Sequence, residues 1–217
     1  AIHADKSDFH SSVRNWRYAT GTRADEEPGD VLEEHHGRVA PALMQRVQIG
    51  LTEAIINSLH HAYRAERNDG CKMFKESRRW LFTHEAGDRL QVIVCDPRIG
   101  ISRSLPLKWS KDLLKKLQAI FVGDHHDVAS IQMALELGKT STDEENRGKG
   151  LPQIWNALHE ADVGGVGIHS GHGHLSYIAE TGREHKGYYT SPLLGTLIAW
   201  YVKIDETAGK VDGESRD

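Results

Sequence analysis

Much is scarce in this chain, and each scarcity excludes something. Cysteine occurs only twice in 217 residues, at Cys71 and Cys95, in unrelated contexts. Cys95 reads as a small buried hydrophobe within an apolar strand. So little cysteine makes a reducing, cytoplasmic setting the expectation, and no secretory signal is visible from Ala1 onward. No apolar run approaches membrane-spanning length, so no membrane association is expected. Positive charge is not in excess: the net charge is −4, which gives no direct nucleic-acid signal. The full GxxxxGK[ST] phosphate-binding pattern is absent, and no repeat of fixed period is evident.

What is present suits one domain with a full core. Apolar residues make up 38% of the chain. Residues 1–30 are polar and read as an extension, in which Ser11 to Tyr18 has the pattern of a short helix or a strand. Residues 31–204 form the expected domain, and 205–217 a polar, frayed tail. Helical periodicity runs from Val31 to about Ala65, with a break between Gly37 and Pro41 and a stop at Asn68-Asp69-Gly70. A strand at 79–84, a hairpin turn at 85–88 and the strongest strand, 90–96, follow. Pro97 to Ile101 reads as a turn, and 109–121 and 127–137 as helices. A polar, glycine-containing loop at 138–150 precedes a helix at 151–161. Three strands are expected at about 164–169, 174–179 and 195–204. This order predicts an α+β two-layer sandwich with a mixed β-sheet and helices on one face, not an alternating βαβ fold.

Four local features carry chemistry. Glu53, Asn57 and His61 recur every four residues, so they share one helix face beside an apolar stripe. Polar groups so close to a core need a partner, and a metal ion or a nucleotide is one. Asp96 ends the strongest strand, with Gly100 behind it, where an acid can accept a hydrogen bond from a base or sugar. Arg147-Gly148-Lys149-Gly150-Leu151 precedes a helix, and its glycines let backbone N–H groups approach an anion. Gly195-Thr196 opens the last strand with a small residue and a hydroxyl. Each feature alone is weak; their joint order is much more specific.

In that order the chain resembles the ATP-binding domain shared by type II topoisomerases, ninety-kilodalton heat-shock chaperones, sensor histidine kinases and MutL proteins, the GHKL superfamily with its Bergerat fold. The resemblance covers about Val31 to Ile204. Glu53-x-x-x-Asn57 looks like the family's N box, Asp96 to Gly100 like its DxGxG box, Gly148 to Leu151 like its second glycine box, and Gly195-Thr196 like its closing Gly-Thr. Gly164 to Gly171 resembles the GG…SG strand of the kinase-like branch. The resemblance implies ATP (or ADP) and Mg²⁺ as cofactors, with Asn57 as the Mg²⁺ ligand and Glu53 as general base. It implies that Asp96 accepts from the adenine amino group with Thr196 in support. Gly148, Lys149, Gly150 and Leu151 would wrap the triphosphate, Gly100 would shape the pocket, and residues 102–146 would form a lid. Glutamate at position 53 favours ATP hydrolysis or serine/threonine-type phosphoryl transfer over histidine phosphorylation. Arg98 departs from the pattern, since it stands where the first glycine of DxGxG belongs. Two alternatives remain open: a non-catalytic ATP sensor whose lid movement regulates a protein partner, and a degenerate scaffold that no longer binds. A protein partner or a homodimer is expected.

Other features take plainer readings. His169, His172 and His174 suggest zinc by spacing, but Gly171 and Gly173 make a polar hairpin the preferred reading. His35 and His36 read as solvated helix residues, and His125-His126 as a cap or lid feature. In the basic run Lys108 to Lys116, Leu113, Leu114 and Leu117 face inward and the lysines face solvent. Arg183 to Tyr189 reads as a loop between strands.

Overall fold

The computed structural model describes residues 16–21, 32, 35, 37–58, 78–97, 99–140, 150–156, 158–159, 161 and 164–204. In chain order the elements are β1 (Trp16–Gly21), α1 (Pro41–Asn57), β2 (Arg79–Ala86), β3 (Arg89–Asp96), α2 (Gly100–Lys108), α3 (Lys111–Gln118), α4 (His126–Thr140), α5 (Gly150–Asn156), β4 (Gly165–Ile178) and β5 (Arg183–Lys203). The strands form one sheet in the order β1-β2-β3-β5-β4. Every described pairing is antiparallel, which corrects the expected mixed sheet. The reason is local: β2 turns into β3 through Gly87-Asp88, and β4 into β5 through residues 179–182, so tight reversals replace crossovers. β1 comes from the segment read as an extension and pairs along β2.

Strand alternation builds the core. Leu81, Val94, Ile198 and Ile168 lie side by side across four strands, as do Thr83, Val92, Trp200 and Val166. All eight are buried. The helices cover this face. α1 starts behind Pro41, just after Gly37, whose φ of +82° breaks the preceding turn. Its buried residues Leu43, Met44, Val47, Leu51, Ala54 and Ile55 recur at helical spacing. Gly50 lets α1 approach the sheet, because a Cβ there would stand 3.0 Å from the Trp200 ring.

Of the stretch expected to be a lid, residues 102–140 are largely helical. α4 sits deep in the core through Ile131, Met133, Leu135 and Leu137. Among the described residues of that stretch, α3 and the short 3-10 turn Ala119–Phe121 that follows it bury no residue. His35 is buried rather than solvated. It lies 3.9 Å from Glu85, which the Arg38 guanidinium also grips through two hydrogen bonds. His36 lies outside the described residues, as do His61 and the tail.

β4 does not run straight. A straight strand of its fourteen residues would hold its ends roughly 45 Å apart, yet the Ala179 N–H donates to the Gly164 carbonyl at 2.9 Å. The strand turns back at Gly171-His172-Gly173, where φ of Gly171 is +59° and the register with β5 shifts. The two limbs bring the His169 and His174 rings to 5.8 Å, as the sequence reading of a polar hairpin expected. β5 flanks both limbs: residues 183–188 pair with 173–178, and 196–201 with 165–170. Arg183 to Tyr189 is therefore strand rather than loop, since β5 must pass along one side of the hairpin before crossing its tip to reach β3. Tyr189 ties that crossing down. Its hydroxyl meets His169 Nδ1 at 2.8 Å, and its carbonyl meets His172 Nδ1 at 2.9 Å.

The tip is shaped for the start of α4. A Cβ on Gly173 would stand 2.6 Å from the Asp127 carbonyl carbon and from the Val128 nitrogen. Both are backbone atoms, so relief requires a shift of the helix. Gly173→Ala is expected to cost about 1–3 kcal/mol and to lower the thermal midpoint by roughly 3–10 °C. A melting curve superimposable on that of the parent would contradict this close docking.

Candidate functional site

Where α1 ends, β3 ends and α2 begins, the helix layer leaves a cleft of about 850 Å³, counting the open space at its mouth. Its walls are mostly apolar: Ile101, Leu105, Trp109, Leu137, Leu151 and Ile198. The polar groups are few and come from separate elements, namely Asn57 and Ser58 from α1, Asp96 from β3, Ser104 and Lys108 from α2, and Thr196 from β5.

The floor is a row of polar side chains. Asp96 pairs with Thr196, and Thr196 with Ser170, so the three stand side by side on the face toward the helices. Asp96 and Ser170 are buried. Ser170 Oγ accepts from the Ile101 N–H at 2.8 Å and donates to the Gly195 carbonyl at 3.0 Å. Gly100, at φ +75°, lets the turn after β3 settle here. A Cβ on it would stand 2.8 Å from Ser170 Oγ and 3.1 Å from the Gly195 oxygen. Cys95, one residue before Asp96, points to the other face of the sheet. Burial, and then the Asp96 charge, push its thiol up to about 11, so it is not a nucleophile at neutral pH.

At the other side, α5 closes on α1. A Cβ on Gly150 would stand 2.7 Å from both Glu53 Oε2 and Asn57 Nδ2, so the bare α-carbon of Gly150 is what allows this approach. Asn57 Nδ2 and Ser58 Oγ are buried with no hydrogen-bond partner among the described residues. A buried amide pole without a partner costs free energy.

No protein-family model, curated protein or solved structure matches this chain.

Of the residues singled out in the sequence, Asn57, Asp96, Gly100, Leu151 and Thr196 line the one cleft. Gly150 and Glu53 meet at its edge; Glu53 is not itself among the lining residues. Gly148, Lys149 and Arg98 lie outside the described residues. Ser104 and Trp109, expected only as part of the lid, line the cleft, as does Ser58 beside Asn57, and Ser170 joins its floor. For Ser170 a signal existed in the Ser-Gly at the end of its glycine-rich strand. Lys108, read as part of a solvated basic face, is exposed as expected and also stands at the cleft, with Nζ 5.1 Å from the centre of the Trp109 ring. Leu114 and Leu117 pack against the core as expected, whereas Leu113, expected to face inward with them, is exposed.

Among the described residues, no group of three or more His, Cys, Asp or Glu is arranged to hold a metal ion, the histidine-rich hairpin included. Mg²⁺ bound with a nucleotide does not need such a cage: one or two protein oxygens suffice, with phosphates and water completing the octahedron. The Asn57 carboxamide carries a hard oxygen of that kind, while its pole without a partner among the described residues is the Nδ2 amine, a donor that suits a phosphate oxygen and not a metal ion.

Proposed function

We propose that the cleft binds ATP with Mg²⁺ and that the chain is a Bergerat-type, GHKL-superfamily ATPase or serine/threonine-type kinase module. The observation that carries this reading is the convergence of four separate stretches of sequence, around Asn57, Asp96, Leu151 and Thr196, on one apolar cleft. Asp96 and Thr196, adjacent on the floor, would accept and support the exocyclic amine of adenine. Ile101, Leu105, Leu137 and Ile198 would exclude water around the ring. Asn57 would hold Mg²⁺, which when bound supplies charge neutralisation at the phosphates. Glu53, beside Asn57 under Gly150, would orient a water or a protein hydroxyl and take its proton. As a module of this kind it would act in the cytoplasm, on a protein partner or within a homodimer.

A second reading, an ATP sensor without turnover, draws on one observation: Glu53 stands behind Gly150 rather than in the cleft lining. Titration calorimetry with ATP and Mg²⁺ tests what both readings share. Dissociation constants in the micromolar range or tighter are expected, and no heat of binding at millimolar ATP would remove both in favour of a non-binding scaffold. Asn57→Ala is expected to weaken Mg²⁺-dependent ATP binding roughly tenfold or more, as for loss of one charge-assisted contact. Unchanged affinity would sink the metal assignment.

A further inference from the structure

Asp127 does not line the cleft, yet it is bonded to the element that forms one of its walls. Its carboxylate bridges two parts of the fold. Oδ1 accepts from the Ser102 hydroxyl in the first turn of α2. Oδ2 accepts from the His172 N–H at the β4 tip at 2.7 Å. The tip is carved to receive this carboxylate, since a Cβ on Gly171 would stand 2.6 Å from Oδ2. Next to this bridge, Ser170 Oγ accepts from the Ile101 N–H. The first turn of α2 is thus fastened at two consecutive residues: Ile101 directly to the tip, and Ser102 through Asp127. From that turn onward α2 contributes Gly100, Ile101, Ser104, Leu105 and Lys108 to the cleft.

The bridge is charge-assisted and so stronger than a neutral hydrogen bond. Burial raises the Asp127 pKa, but the Ser102 and His172 hydrogen bonds and the nearby His126 and His125 outweigh it, and the carboxyl is held below its ordinary value. The stability that the ionised group contributes is present above the unfolded-state pKa. It is lost as pH falls through the lowered folded value.

We propose that Asp127 is a positioning residue for the cleft, which through Ser102 holds the first turn of α2 against the β4 tip and so sets the wall that a ligand meets. For its choice of ligand the proposal rests on the ATP reading; for the fastening itself it does not.

Two measurements on the full chain separate these. In hydrogen exchange, Ser102→Ala should speed exchange of the amides at 101–105 roughly tenfold, leave those of β2 and β3 unchanged, and be rescued by Ser102→Thr, which keeps the hydroxyl. In calorimetry with Mg²⁺ and ATP, Ser102→Ala and Asp127→Asn should each raise the dissociation constant about tenfold, and the double variant should be no worse than Asp127→Asn. The threonine variant should again restore the parent value. Unchanged α2 exchange in Ser102→Ala, or a lowered melting temperature with unaltered ATP affinity, would overturn the positioning role, as would failure of threonine to restore either quantity. If the parent chain binds no ATP, the nucleotide reading falls, and the exchange data alone decide on Asp127.

Discussion

Replacing Glu53 with alanine is expected to slow phosphate release or phosphoryl transfer by about 10²–10⁴-fold, the range of a lost general base, while ATP binding stays within about twofold of the parent. The asymmetry follows from position. Glu53 lies one helical turn before Asn57 and beside Gly150, outside the apolar walls that would hold the base and sugar. Its removal takes nothing from those contacts. Malachite-green phosphate assays and calorimetry on the same preparation separate the two quantities. Equal turnover in the variant would remove Glu53 as base, and a parent chain that binds ATP without turnover would favour the sensor reading.

The second large effect belongs to Asp96. Asp96→Ala is expected to weaken ATP binding about 10–100-fold, because a buried charged acceptor is worth roughly 1.5–3 kcal/mol to its partner. Here the loss should appear in affinity for adenosine as well as for ATP, since the floor row of Asp96 and Thr196 would meet the base and not the phosphates. An independent readout comes from the neighbouring thiol. Burial is the larger cause of the raised Cys95 pKa and the Asp96 charge the second, so removing that charge should bring the value down from about 11 without restoring it fully. Titration of thiol reactivity against pH measures this. A variant with the shifted Cys95 but parental affinity for both adenosine and ATP would show that Asp96 is merely structural.

Much of the architecture was legible along the chain because short-range physics decides it. The Gly87 turn between two alternating strands, the apolar stripe of α1 and the Gly171-Gly173 reversal each depend on residues close in sequence. The errors share a cause as well. Arg183 to Tyr189 is polar and mostly exposed, so it carries no apolar alternation, and only its pairing with residues 173–178 makes it strand. His35 looked solvated because its partner, Glu85, lies fifty residues away on another element. The expected mixed sheet failed because the chain returns through tight reversals.

The candidate site divides along the same line. The sequence by itself determined which residue types stand at which spacing: Asn57 one turn after Glu53, an acid closing the strongest strand, a Gly-Thr opening the last one. Those follow from local periodicity and were readable without coordinates. Only the tertiary structure decided that Asn57, Asp96, Leu151 and Thr196 share one cleft. It alone revealed that Ser170 completes the floor row, and that Asp127 fastens the first turn of α2 to a distant hairpin tip. The physical reason is that β-register and helix docking join residues tens to more than a hundred positions apart. Such contacts are set by how whole faces pack, and no local pattern encodes them.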